Sequence, residues 1–157
     1  MSNYITALQA VLADSYTLYL KTQNYHWNVE GPHFKSLHEM FEEQYRELFD
    51  ANDEIAERIR ALGEKVDGTY KGFSDKASIK EGDMNLGEHA MVTDLFKSNR
   101  QVVKTIKTAM DAAEEADDQA TVDMMVARTQ AHEKAAWMLR SILPDAERKK
   151  LDAAADY

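Results

Sequence analysis

The sequence predicts an all-α fold, four long helices in a bundle with one long connection in the middle. Three observations carry this. Apolar residues recur at alternating spacings of three and four over long stretches, as one face of a helix requires. Chain breakers are unevenly placed: proline occurs only at positions 32 and 144, and five of the six glycines lie between Gly63 and Gly87. No stretch alternates β-branched and polar residues long enough to build a sheet.

The first helix is expected from Tyr4 to Glu30, with Ile5, Leu8, Leu12, Ser15, Tyr19, Thr22 and His26 on one stripe. Gly31-Pro32 breaks it. Phe34, Leu37, Phe41, Leu48, Ile55, Ile59 and Leu62 then carry a second helix to Gly63, so the two form a hairpin. The segment from Gly63 to Gly87 is read as a crossover running back along the pair, loop-like except for one short helix starting after Ser74. Val92, Leu95, Asn99, Val102, Ile106, Ala109 and Ala113 mark a third long helix; Val122, Met125, Thr129, His132, Ala136, Leu139 and Leu143 mark a fourth. Asp117-Asp118 separates them, placing carboxylates where they can cap the exposed N–H groups of the fourth helix and oppose its dipole. Pro144 ends that helix and leaves a short tail. This pattern is what a ferritin-type bundle requires, and it fills residues 1–157 as a single domain without an internal repeat.

Composition narrows the chemistry. Cysteine is absent, which excludes disulfides, thiolate metal sites, thiol nucleophiles and iron–sulfur clusters. Any metal must be held by His and carboxylates. No apolar run approaches a membrane span and the N-terminus lacks a basic signal-peptide region, so the expected location is the cytosol. With 19 Lys+Arg against 28 Asp+Glu, the net charge of −9 disfavours nucleic acid and anionic membranes and favours cations as partners.

The second helix carries the informative polar residues. His38 and Glu42 are four apart, as are Asp53 and Glu57, and at about 100° per residue all four fall within roughly a 100° arc. Eleven residues nevertheless separate Glu42 from Asp53, about 16 Å of axial rise, too far for one metal site on a straight helix. Two copies packed antiparallel about a two-fold axis would set His38 and Glu42 of one chain against Asp53 and Glu57 of the other, creating two equivalent sites. Folding the hairpin about Gly31-Pro32 brings His26 level with His38. Such a nitrogen and oxygen set suits iron, manganese or zinc better than calcium or magnesium, and spacing does not choose among the three. Either pair alone is usually a solvated charged face; their alignment with His26 strengthens the case for ligation, with the solvated face still the competing reading.

Other candidates have plainer readings. His33 and His89 are read as solvent-facing and left out of the site, and His132 as a satisfied core histidine. Trp27 and Trp137 read as core or interface packing, and the scattered methionines as core filling.

Taken together, His26-Trp27-Asn28-Val29-Glu30-Gly31, Phe34, Leu37-His38-Glu39-Met40-Phe41 and Asp53-Glu54-Ile55-Ala56-Glu57-Arg58 resemble the signature of the Dps family of mini-ferritins. His132-Glu133-Lys134-Ala135-Ala136-Trp137-Met138-Leu139-Arg140 is similar to that family's last-helix motif, and the resemblance covers essentially the whole chain. It implies a hollow homododecamer of four-helix subunits with ferroxidase sites at two-fold interfaces. His26 and His38 would be ligands on one chain, with Asp53 and Glu57 reaching in from its neighbour. Glu42 stands where many members have Asp, one methylene longer with the same charge.

The resemblance further implies oxidation of Fe(II), preferentially by hydrogen peroxide, and storage of ferric mineral inside the shell as protection against oxidative stress. Trp27, beside a ligand, becomes a candidate electron donor. Asp118 and Asp123 become candidates for an acidic iron-entry pore, with N-capping the competing role for Asp118. DNA binding is not expected despite the family's name. No Lys-rich tail precedes the first helix, where the first basic residue is Lys21, and Arg148-Lys149-Lys150 is followed by Asp152 and Asp156. Three other readings are a non-catalytic scaffold, a DNA-compacting protein and a di-iron oxygenase. The oxygenase would need Glu-x-x-His on helices, whereas the only such spacing, Glu30 to His33, is interrupted by Gly31-Pro32.

Overall fold

The computed structural model describes residues 3–154 as six helices: α1 (Asn3–Asn28), α2 (Phe34–Ala61), α3 (Tyr70–Lys76), α4 (Glu88–Glu115), α5 (Gln119–Ile142) and α6 (Asp145–Ala154). The four long helices are those expected. Helix α1 packs along both α2 and α4, and α4 along α5, whereas the α2–α5 seam is the thinnest side of the bundle. One apolar cluster holds them together, including Leu8 and Leu18 of α1, Phe41 and Ile55 of α2, Leu95 and Ile106 of α4, and Met125 and Leu139 of α5. Among the described residues, no helix is long and apolar enough to cross a membrane.

Backbone chemistry sets the helix ends. After α2, Gly63 at φ +98° lets its own N–H reach the Arg60 carbonyl and the Glu64 N–H reach that of Ile59, a Schellman closure. The end of α4 closes the same way, with Asp117 at φ +56° and the Asp118 N–H on the Ala113 carbonyl. Asp118 then caps α5 by accepting from the Thr121 N–H at 3.1 Å.

Two sequence expectations need correction. The short crossover helix starts at Tyr70 rather than after Ser74, because Thr69 is its cap: the Thr69 hydroxyl accepts from the Gly72 N–H at 2.9 Å. The expected tail beyond Pro144 is helix α6, with Asp145 and Glu147 in its first turn and Leu151 buried against the bundle. Pro144 ends one helix and leads into the next, its carbonyl accepting from the N–H groups of Glu147 and Arg148.

Buried polar residues of α1 pin the crossover. Asp14 is fully buried and accepts from the Ser78 N–H at 2.5 Å, the Ser78 hydroxyl at 2.7 Å and the Thr105 hydroxyl at 2.6 Å. Tyr25 donates to Asp94 on α4 at 2.5 Å and accepts from the Asp83 N–H at 3.2 Å. Gly82 passes so close that a Cβ there would lie 3.0 Å from the Tyr25 ring.

His132 is a satisfied core residue, as expected. Its Nε2 accepts from Arg128 at 3.3 Å, so its Nδ1 carries the proton and donates to Asn99 Oδ1 at 2.9 Å. Burial, reinforced by the Arg128 charge, pushes its pKa down to about 3. The unfolded chain takes up a proton near pH 6.5 that the folded one refuses, so stability is full above that pH and falls toward pH 3. The slope from this group is at most about 1.4 kcal/mol per pH unit. Melting curves of the wild type and His132→Gln are therefore expected to differ most at pH 7.5 and to converge toward pH 4.5; parallel trends would refute the assignment.

Candidate metal centre

Helices α1 and α2 run out from the Gly31-Pro32 turn, and the last turn of α1 faces the first turns of α2. His26 and His38 clasp each other across this gap. His26 Nδ1 donates to the His38 carbonyl and His38 Nδ1 to the His26 carbonyl, both at 2.7 Å. The rings stack with centroids 3.8 Å apart and planes 15° apart. With each Nδ1 facing a carbonyl oxygen, the Nδ1 atoms hold the protons and both Nε2 lone pairs are free for a ligand. The clasp is braced by the Tyr45 ring against His26 at 5.2 Å and the Phe34 ring against His38 at 5.0 Å.

Glu42 joins them, with Oε1 3.8 Å from His26 Nε2 and Oε2 3.4 Å from Arg46 Nε. Asp53 and Glu57 lie exposed further along α2. Among the described residues, no three of His26, His38, Glu42, Asp53 and Glu57 bring ligand atoms within 4.8 Å of one another. His26, His38 and Glu42 thus gather at one end of a helix face, and Asp53 and Glu57 lie towards its other end. Phe49, 62% exposed, lies on the same arc between the halves, with Tyr45 beside it.

The other candidates fall elsewhere. Trp27 and Trp137 are 62% and 64% exposed, which removes the core-packing reading for both. Asp118 is not a free pore acid. Both its oxygens bind Arg58, at 2.7 and 2.6 Å, while Tyr4 and the Thr121 hydroxyl donate to it. Burial opposes its charge, but the bonds from Tyr4, Arg58 and Thr121 outweigh burial and hold its carboxyl well below the usual range. Asp123 is exposed and accepts from Gln119 at 2.9 Å.

Sequence reasoning passed over a second cluster. His33, half exposed, lies 2.7 Å through Nδ1 from Glu88 Oε1, and His89 is partly buried rather than solvent-facing, close to both Glu88 and Glu147. The residues are too far apart in the chain for spacing to connect them; Glu88-His89 at the foot of a helix beside a Gly-Pro-His turn was the available signal.

Four long helices, a long middle crossover, and imidazole and carboxylate groups where α1 meets the start of α2 with further carboxylates towards the end of α2 define a ferritin-like bundle. A family model described as "Ferritin-like domain" matches residues 5–149. The "DNA protection during starvation protein" of Brevibacillus brevis is 40% identical over 148 residues, covering 91% of this chain and 99% of that protein. The crystal structure of Dps from Staphylococcus aureus superposes with a TM-score of 0.87 at 32% identity, covering 90% of this chain and 95% of that one. Dps from Vibrio cholerae O1, titled as a member of a broad superfamily of ferritin-like diiron-carboxylate proteins, gives 0.86 at 30% identity, covering 90% and 89%. The chain belongs to the ferritin-like family and, within it, to the Dps mini-ferritins.

Proposed function

We propose that the protein oxidises Fe(II) at centres shared between two copies of the chain, uses hydrogen peroxide in preference to dioxygen, and stores the ferric product inside a dodecameric shell. The observation that carries this is the placement of exposed Phe49 between the half-sites: one helix face offers both an apolar contact and the two ligand sets that the contact would join. Antiparallel pairing about Phe49 brings Asp53 and Glu57 of one copy to His26, His38 and Glu42 of the other.

In this reading the His26 and His38 Nε2 atoms bind Fe(II), and carboxylates from the second copy favour the harder Fe(III) product. Two Fe(II) supply the two electrons that break the peroxide O–O bond. Water supplies the remaining oxide and hydroxide, and protons are released as ferric oxyhydroxide forms. Trp27, next in sequence to His26, is placed as an electron donor for stray oxidant. Asp123 is the exposed acid of the candidate entry pore, whereas Asp118 is committed to Arg58 and the α5 cap. Iron is the metal of turnover in this proposal, with zinc or manganese as resting occupants. The cytosol is the proposed setting, and the −9 charge keeps DNA a poor partner.

Anaerobic Fe(II) loading followed by peroxide tests the reading. Fast growth of ferric absorbance, with iron eluting alongside shell-sized protein on gel filtration, is the expected result. Oxidation no faster than in protein-free buffer, or a monomer on the column, would overturn it.

A further inference from the structure

A second ligand cluster lies where the α1–α2 turn meets the first turn of α4 and helix α6. Glu88 is its anchor, with a side chain only 11% exposed. Its Oε2 accepts from the His33 backbone N–H at 3.2 Å, and its Oε1 is 2.7 Å from His33 Nδ1 and 3.6 Å from His89 Nε2. The other ring nitrogen of His89 lies 3.2 Å from Glu147 Oε1 on α6. Gly31 makes the seat for Glu88: at φ +137° it has no Cβ, and one placed there would stand 2.5 Å from Glu88 Oε2.

A hydrogen-bonded clasp fixing the turn accounts for His33 and Glu88 alone. It does not account for His89, whose ring lies between two carboxylates on different helices, with Nε2 beyond good hydrogen-bond reach of Glu88. We propose that His33, Glu88 and His89 form a three-ligand site for a divalent transition metal of the Zn(II) class, separate from the His26–His38 centre, with His89 binding through Nε2 while its Nδ1–H donates to Glu147, which orients the ring.

One ligand atom from each of His33, Glu88 and His89 already lies within 4.8 Å of the others. Tetrahedral Zn(II) with bonds of about 2.0 Å needs ligand atoms about 3.3 Å apart. The spacings of Glu88 Oε1 to His33 Nδ1 and to His89 Nε2, 2.7 and 3.6 Å, already bracket that value. Two imidazole nitrogens and one carboxylate oxygen, with water in the fourth position, suit Zn(II), Co(II) or Mn(II); calcium and magnesium prefer all-oxygen shells. Bound metal would tie the turn between the helices that carry His26 and His38 to the first turn of α4. The proposal does not depend on iron oxidation at the first centre.

Co(II) titration of metal-free protein tests it, because four-coordinate Co(II) absorbs strongly in the visible and six-coordinate Co(II) weakly. In His26→Ala/His38→Ala the strong band is expected to persist and to be displaced by Zn(II). In His33→Ala/His89→Ala it is expected to vanish while the melting temperature in chelator stays at the wild-type value. Should that double variant melt early, His33→Gln, at a half-exposed position, replaces it and is expected to weaken Co(II) binding at least tenfold. A band unchanged in the His33 variants, or only the weak six-coordinate spectrum in His26→Ala/His38→Ala, would overturn the site.

Discussion

Co-expression of two inactive variants is expected to restore about a quarter of the wild-type rate of iron oxidation, because each proposed centre draws its halves from different chains. His26→Ala/His38→Ala removes one half and Asp53→Ala/Glu57→Ala the other, so shells of either variant alone should oxidise Fe(II) no faster than buffer. In a mixed pair, one centre receives both damaged halves and the other both intact ones. Random pairing makes about half of the dimers mixed, and half of their centres intact. Asp53 and Glu57 are exposed on α2, whereas His26 is buried in the last turn of α1 against His38, so gel filtration of each variant alone is the control that its shell assembles. A centre closed within one chain predicts no recovery, and the absence of recovery in shells shown to contain both chains would sink the two-chain site.

Asp118 carries the largest expected effect on stability. Asp118→Ala should cost about 2–3 kcal/mol, combining a lost N-cap of about 1 kcal/mol with charged hydrogen bonds to Arg58. For a chain of this size that is a fall in Tm of roughly 5–10 °C. Asp118→Asn keeps a capping oxygen and loses only the charge, so it should fall between the two. The sign of the pH dependence follows from the direction of the shift. A carboxyl held below its unfolded value contributes its full stability above about pH 4 and loses it as pH falls through the folded value. The gap between wild type and Asp118→Asn is therefore expected to be level from pH 5 to 8 and to close in acid. A gap of less than about 0.5 kcal/mol between wild type and Asp118→Ala, the range of an ordinary surface change, would mean the Arg58 pair is not holding the helices.

Legibility in the sequence followed the range of the interactions. The long helices were readable because periodicity is local, and the His26–His38 juxtaposition because a hairpin turn fixes register over a dozen residues. The start of α3 was misplaced because its cap is a side-chain bond, Thr69 to Gly72, with only one turn of weak pattern behind it. Helix α6 was missed because only Leu151 is buried on it, too little for a periodic signal. Asp118 looked like a free acid because its partners Arg58 and Tyr4 lie 60 and 114 residues away. The Glu88 cluster was passed over for the same reason: His33 is 55 residues from Glu88, and Glu147 58 from His89.

The reciprocal clasp between His26 and His38 bears finally on the entropy of capture. A loose imidazole must surrender its rotamers when it binds a metal, at roughly 0.5–1.5 kcal/mol per side chain. Here both rings are immobilised by each other's carbonyl oxygens during folding, so that cost is met before any cation arrives. For two rings the saving is about 1–3 kcal/mol, roughly a 5- to 150-fold gain in affinity over the same ligands on freely rotating side chains. In the proposed centre the two rings would therefore hold a scarce ion tightly without first having to be ordered around it.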